Sequence, residues 1–322
     1  MLEMNDILKN FTKRFKVPQK LRKYIIKIFS EDEIIILNLL SEREERISSI
    51  TAGFPGVKSS TLKSLFRKGY LLRRMKESEQ YYESNTFDQI IKRFVNHDQK
   101  YLKLNDKEKI LFQDYVAELY LERMRGSHKP VYRVIPIGQV IQDKRQLIPQ
   151  FQAIYYLQKA TVLSVIDCIC RTTFNRCGKP RRVCLALGEQ AKFFIERGIG
   201  EEVDTRRGLE ILRISEENGL VHSVDNRKDP NFLCNCCECC CVFVQGLKKH
   251  GIFTSIGKSG FVASKDSKKC DQCGICIEKC IFEAISYENE HIKIDQGKCF
   301  GCGLCAFNCS QQAIKLILEH SA

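Results

Sequence analysis

CDQCGICIEKC at residues 270–280 and CFGCGLCAFNC at residues 299–309 decide the reading of this chain. Cys270, Cys273, Cys276 and Cys280 follow the spacing C-x2-C-x2-C-x3-C, and Cys299, Cys302, Cys305 and Cys309 repeat it 29 residues later. Ala284-Ile285 and Ala313-Ile314 hold the same register beyond each run, so the stretch is an internal duplication. Structural zinc sites usually pair two C-x2–4-C knuckles across a longer spacer, which these triply stepped runs do not resemble. Gly274, Gly301 and Gly303 let backbone amides pass close to the sulfurs.

The duplicated spacing resembles the ligand pattern of two-cluster bacterial ferredoxins. Three thiolates on such a tight loop wrap one corner of a cube, and the fourth must approach from elsewhere. The resemblance implies a small α+β module with two [4Fe–4S] clusters, the fourth cysteine of each run ligating the other cluster. One cube then takes Cys270, Cys273, Cys276 and Cys309, and the second takes Cys299, Cys302, Cys305 and Cys280. The family's proline after the fourth cysteine is replaced here by Ile281 and Ser310.

Outward from this stretch, 322 residues leave room for two or three domains, and 43 % hydrophobic with 28 % charged residues is a globular composition. The fold class expected is α+β, in three parts: a helical domain over 1–125, an α/β cysteine-rich domain over 126–262 and the ferredoxin-like module over 263–322. No run of 18 apolar residues exists, so no membrane span is expected. Residues 1–20 lack a secretory hydrophobic region. Eighteen cysteines without an export signal point to metal ligation in a reducing cytoplasm, not to disulfides. The formal charge of +13 divides as +7, +7 and −1 over the three parts. The excess is free to face nucleic acid, an acidic protein or the anionic clusters themselves.

In the first part, residues 31–41 read as a helix with an acidic first turn, a short helix follows over 46–51, and Gly53-Phe54-Pro55-Gly56 reads as a turn. Ser59–Lys68 reads as a third helix with Leu62, Leu65 and Phe66 on its apolar face and Lys58, Lys63, Arg67 and Lys68 off it. Gly69 stops it, and residues 70–75 and 81–83 flank the polar stretch Lys76–Gln80 as a hairpin. A helix is expected over 106–124. The order helix, helix, turn, helix, hairpin over residues 25–90 resembles a winged helix-turn-helix domain. That resemblance implies Ser59, Ser60, Thr61, Lys63 and Arg67 in a major groove and Arg73, Arg74 and Lys76 on phosphate. The competing reading is a docking or dimerisation module with a solvated basic face, and it is favoured because no base-reading set is visible.

In the middle part, residues 126–136 read as a linker, 148–159 as a helix and 161–166 as a buried strand. Cys168, Cys170, Cys177 and Cys184 follow, interleaved with Arg171, Arg176, Lys179, Arg181 and Arg182. Helices are expected over 189–197 and 207–218, with Gly219 as stop, and a strand over 220–224. Then Cys234, Cys236, Cys237, Cys239, Cys240 and Cys241 crowd into one short run. Ten cysteines exceed any packing need and call for metal. The first four suit a further iron–sulfur cluster, with zinc as the alternative. One tight loop cannot aim all six later thiolates at one cube, so shared ligation, a non-cubane cluster or a redox-active pair stay open.

The strand into Cys-x-Cys-Arg, the stretch Gly219-Leu220-Val221-His222, Asn226 and the late cysteine run, ahead of the duplicated module, resemble the 4Fe-4S dicluster-domain proteins of anaerobic bacteria and archaea. The resemblance covers residues 130–310 and implies iron–sulfur redox function. His222 reads as a satisfied core histidine, and no phosphate-binding glycine loop or hydrolytic triad stands out. The function expected is electron transfer between two [4Fe–4S] clusters and at least one further cysteine-rich centre, with a redox protein or a second copy of the chain as partner. The alternatives are an iron–sulfur redox-sensing DNA-binding regulator and the reductase component of an oxidoreductase.

Overall fold

The computed structural model describes residues 4–40, 45–46, 48–50, 58–143 and 149–319. The chain divides into two compact units, Met1–Leu119 with Glu196–Ile199, and Tyr120–Ile195 with Gly200–Ala322. The expected turn at Gly53–Gly56 and the end of the helix before it lie outside the described residues.

The first unit is mainly helical. Helix α1 (Met4–Arg14) precedes α2 (Glu31–Leu39), whose start is fixed by a capping box: Ser30 Oγ accepts from the Glu33 amide and Glu33 reaches back to the Ser30 amide. A short strand β1 (Glu45–Arg46) and helix α3 (Ser59–Arg67) follow. Leu62, Leu65 and Phe66 of α3 are buried as their spacing requires, and Gly69 ends the helix at φ 75°. Strands β2 (Leu71–Lys76) and β3 (Glu79–Ser84) form the hairpin around Glu77 and Ser78, both at positive φ, and the sheet order is β1-β3-β2. Helix α4 (Phe87–His97) and α5 (Asp106–Arg125) complete the unit, which holds α5 up to Leu119. Lys68 does not join the solvated face with Lys63 and Arg67. It turns inward, 2.8 Å from Glu33 and 3.1 Å from Asp98, because two buried carboxylates there need a counter-charge.

The second unit is built on a seven-stranded sheet ordered β10-β4-β8-β9-β6-β5-β7. Its strands are β4 (Tyr132–Val134), β5 (Leu163–Asp167), β6 (Arg182–Leu187), β7 (Glu201–Val203), β8 (Val221–Asp225), β9 (Phe232–Cys236) and β10 (Ile256–Gly257). Among the described residues of this sheet, only β10 and β4 pair in parallel. The α/β expectation for the middle stretch is corrected accordingly. Antiparallel neighbours need no crossover helix, and β8 turns directly into β9. The linker expected over 126–136 is corrected too, since β4 lies inside it, buried between β8 and β10. Three residues among prolines are too short for an alternation signal.

The helices of this unit are α6 (Ala153–Lys159), α7 (Ile169–Phe174), α8 (Glu189–Ile195), α9 (Thr205–Glu217) and α10 (Val242–His250). Helix α9 starts where Asp204 caps the Arg207 amide at 2.7 Å, and it buries Ile211, Leu212 and Ser215 toward the sheet. The duplicated stretch follows as β11 (Phe261–Lys265), α11 (Ile275–Lys279), β12 (Ile285–Glu288), β13 (His291–Ile294), α12 (Leu304–Phe307) and β14 (Ile314–Leu318). The outer strands β11 and β14 pair antiparallel and so close the module, while β12 and β13 form a hairpin between the two cysteine runs. Among the described residues, no helix is long and apolar enough to cross a membrane.

Candidate metal centres

The duplicated module brings its eight cysteines together in two sets, each mixing both runs. Cys280 shares one apolar hollow with Cys299, Cys302 and Cys305. Cys309 lies beside Cys276, Cys270 and Cys273, close enough for their charges to act on one another. Each run's fourth cysteine is carried across by a short helix, α11 or α12, that starts at a glycine in the left-handed region, Gly274 at φ 79° and Gly303 at φ 89°.

The backbone around these sulfurs is arranged to donate. The Ala284 amide points at Cys280 Sγ at 3.3 Å, and the Ala313 amide points at Cys309 Sγ at 3.4 Å. This is the physical content of the shared Ala-Ile register: each alanine amide covers the fourth sulfur of its run. Ala263 and Gly301 both donate to Cys299 Sγ, at 3.4 Å. Burial pushes the Cys302 thiol up to about 12 and the Cys276 thiol up to about 11, and it raises Cys305 and Cys280 as well. A buried thiol that resists ionisation, yet faces amide donors, is stabilised as thiolate when a metal replaces its proton. The donor set, the all-sulfur coordination and the N–H···S contacts fit a thiolate-ligated iron–sulfur cluster.

The ten middle cysteines separate into two groups, and the division cuts across both sequence runs. Cys177, Cys237, Cys239 and Cys240 form one group, with all four Sγ atoms within 4.8 Å of one another. Cys240 Sγ stands 3.8 Å from Cys177 and 3.7 Å from Cys239, and it accepts the Arg176 amide at 3.3 Å. The other six are Cys168, Cys170, Cys184, Cys234, Cys236 and Cys241. The first four cysteines therefore do not converge on one site. Asn175 ends α7 at φ 46°, and the loop it opens carries Cys177 away from Cys168 and Cys170.

Strand β9 sorts the later run. Its register with β8 sets Cys234 opposite Ser223 and Cys236 opposite Val221 on one face, with Asn235 opposite His222 on the other. Cys236 Sγ meets Ser223 Oγ at 3.3 Å on the first face. On the second, His222 Nδ1 meets Asn235 Oδ1 at 2.6 Å, and His222 Nε2 lies 3.1 Å from Glu216. His222 is thus satisfied in the core and turned from the thiols. Past β9 the chain turns through Cys237–Cys240 and re-enters a helix at Cys241, the N-cap of α10.

The residue this arrangement singles out beyond the cysteines is Arg171. It is 1 % exposed, and its Nη1 donates to the Asn235 carbonyl at 3.0 Å. Its Nε and Nη2 find no oxygen or nitrogen acceptor. Burial pulls its pKa down, but the charges of Cys168, Cys184 and Cys237 outweigh that and raise it. A buried guanidinium is costly unless anions face it. Here they come from both thiol groups at once. Arg176 and Arg181 are exposed and Lys179 half-buried, and these three line an open basic rim beside Cys177, whereas the exposed Arg182 pairs with Asp167 and Glu201.

Residues 292–315 match the 4Fe-4S binding domain family. The matched stretch contains Cys299, Cys302, Cys305 and Cys309, so the chain is an iron–sulfur protein with at least one 4Fe–4S site. Comparison with curated proteins and with solved structures produced no match.

Proposed function

We propose that this protein is an iron–sulfur electron carrier in which two ferredoxin-type cubes exchange electrons with the cysteine-rich sheet of the same unit. Cys270, Cys273, Cys276 and Cys309 hold one cube, and Cys299, Cys302, Cys305 and Cys280 hold the other. The observation that carries the reading is continuity. Cys280 and Cys302 pack against the same apolar core as Cys170, Cys234, Cys236 and Cys241. The clusters, when bound, supply one-electron redox chemistry. The chain's own part is to ligate, space and shield them. Ile137 ties the two regions by donating its amide to the Cys302 carbonyl at 3.0 Å, and Phe282 stacks on Phe300 with ring centres 4.2 Å apart, excluding water.

The group of Cys177, Cys237, Cys239 and Cys240 supports a further centre at the exit. Cys177 and Cys239 are half-buried beneath the basic rim. That rim suits a redox partner with an acidic face. The reading places the protein in a reducing cytoplasm, where eighteen unpaired cysteines persist. Anaerobic purification with iron, sulfide and zinc counts, and EPR of the reduced protein, tests it. Two or more interacting cubes are expected, and stoichiometric zinc without charge-transfer absorption overturns the reading.

A second reading, a redox-sensing DNA-binding regulator, draws on the first unit. Its helices and hairpin support the winged-helix resemblance, and Ser59, Ser60, Lys63 and Arg67 are exposed along α3. We rank it lower, because α3 offers no Asn, Gln or paired Arg suited to base edges. A docking face for a protein partner or second copy uses the same residues without base reading.

A further inference from the structure

We propose that Cys168, Cys170, Cys184, Cys234, Cys236 and Cys241 form a second, separate metal centre of the sheet, a closed ring of six thiols built for one multinuclear iron–sulfur cluster larger than a single cube. The proposal rests on the iron–sulfur reading of the chain, but not on what the duplicated module holds.

The ring is traced from contact to contact. Cys168 is within hydrogen-bonding reach of Cys170 and Cys184. Cys184 also reaches Cys234, which reaches Cys236. Cys236 lies 3.3 Å from Cys241, and Cys241 closes the ring on Cys170. The six come from three strands and two helix starts. Strand β5 leads to Cys168, α7 holds Cys170, β6 holds Cys184, β9 holds Cys234 and Cys236, and Cys241 opens α10. Extending the β6–β9 ladder from Leu185 opposite Leu233 places Cys184 opposite Cys234 on the same face. No member belongs to the four-thiol group at Cys177.

Every member of the ring has two thiol neighbours. A cube has four metal corners for protein ligands, so six thiolates exceed one cube. Six thiolates would instead suit one cluster with more metal corners than a cube. Packing does not explain the ring. Cys168, Cys184, Cys236 and Cys241 are buried and Cys170 and Cys234 half-buried, and Ser223 and Tyr132 set polar groups on Cys236 and Cys234 at 3.3 and 4.0 Å, where a packing role would call for apolar neighbours. Arg171 supplies the matching cation. It is buried between the ring, at Cys168 and Cys184, and the four-thiol group, at Cys237.

The test uses the full chain, purified anaerobically with its metals. Crystals measured at the iron and zinc edges locate each metal without any substitution. The expected map shows iron density in contact with all six ring thiols, distinct from density at Cys177, Cys237, Cys239 and Cys240. No metal in the ring, a single metal ion there, or one cube bonded to only four of the six thiols overturns the proposal. Native mass spectrometry of two variants gives the second arm. Cys239→Ser is expected to lose about four metals and keep the ring's, and Cys236→Ser the ring's metals while keeping the others. If either change empties both centres in a folded chain, the ten thiols form one site and the proposal fails. Should Cys236→Ser not fold, the edge maps decide. Metal in the ring with none at Cys299, Cys302 and Cys305 would refute the ferredoxin-type reading and leave the ring standing.

Discussion

The duplicated module contains its own control experiment, at Gly301 and at the residue 29 positions earlier, Gln272. Both sit between the first and second cysteines of their runs, and both occupy the left-handed region, Gly301 at φ 65° and Gln272 at φ 61°. The fold therefore tolerates a side chain at this turn in one repeat. In the other it does not. A Cβ on Gly301 would stand 2.1 Å from the Phe261 carbonyl oxygen and 2.3 Å from Ser259 Oγ. An ordinary carbon–oxygen contact is about 3.3 Å or more, so the loop must retreat by about 1 Å from strand β11. Left-handed φ for a non-glycine costs about 1–2 kcal/mol, and forcing a group into filled space typically another 1–3. Gly301→Ala thus carries a local cost of about 2–5 kcal/mol, set on the amide that donates to Cys299 Sγ. Gln272→Gly relieves the φ strain but loses the 2.7 Å bond from the Ile292 amide to Gln272 Oε1, so the net change is within about 1 kcal/mol. The assay is iron content and visible absorption after anaerobic purification, beside thermal unfolding. Gly301→Ala is expected to lose about half of the module's iron, and Gln272→Gly to keep it. Full iron and an unshifted melt in Gly301→Ala would refute the steric argument.

Arg171→Met removes the buried cation beside the thiolates, and the reduction potential of the sheet's centres is expected to fall because the added electron loses a positive neighbour. Arg171→Lys should restore part of it, and an EPR-monitored redox titration with no shift in Arg171→Met counts against the role. In the first unit, burial pushes the Glu33 carboxyl up, but Lys68, the Ser30 amide and Lys100 together hold it below the usual carboxylate range. A depressed carboxylate contributes stability that is complete above the unfolded value of about 4.3 and is lost as pH falls through the folded one. Glu33→Gln should cost about 2–4 kcal/mol near neutral pH and flatten the acid limb of urea-unfolding curves. Equal pH profiles for variant and wild type would contradict it. The exposed face of α3 should bind duplex weakly, without sequence preference and with steep salt dependence. Replacing Lys63 and Arg67 together should lower the salt slope by about 2, whereas binding-site selection yielding one enriched motif would favour the regulator.

How much could be read in advance depended on whether the ligands were local. The duplicated runs were legible because their tight spacing resembles a known ligand pattern, and the crossing of Cys280 and Cys309 into the other run's set came with that resemblance. The middle ten were not, because their grouping is set by strand register and by one turn. Cys234 and Cys236 looked like loop residues, yet they lie on β9, whose cue was the apolar pair Phe232-Leu233 just before them. The separation of Cys177 hangs on Asn175, one of the few residue types that enter the left-handed region easily, and this was the available sign that α7 stops there. Arg171 was noticed as one of several basic neighbours. Only burial distinguishes it from Arg176, Arg181 and Arg182, and burial is a property of the assembled sheet.

If the ring binds metal as proposed, strand β9 would also make metal loading a proofreader of folding. Alternation along it puts Cys234 and Cys236 on one face and Asn235 on the other. A slip of one residue against β8 would exchange the faces, sending both sulfurs toward His222 and an amide toward the remaining thiols. Such a misaligned chain could bury nearly the same apolar surface, so the hydrophobic effect alone discriminates poorly between the two pairings. A metal in the ring would discriminate sharply, since only one pairing presents sulfur to it. Newly made chains that pair β9 wrongly would stay colourless and unlocked, free to unzip and try again, and cofactor insertion would act as the step that commits the sheet to its final alignment.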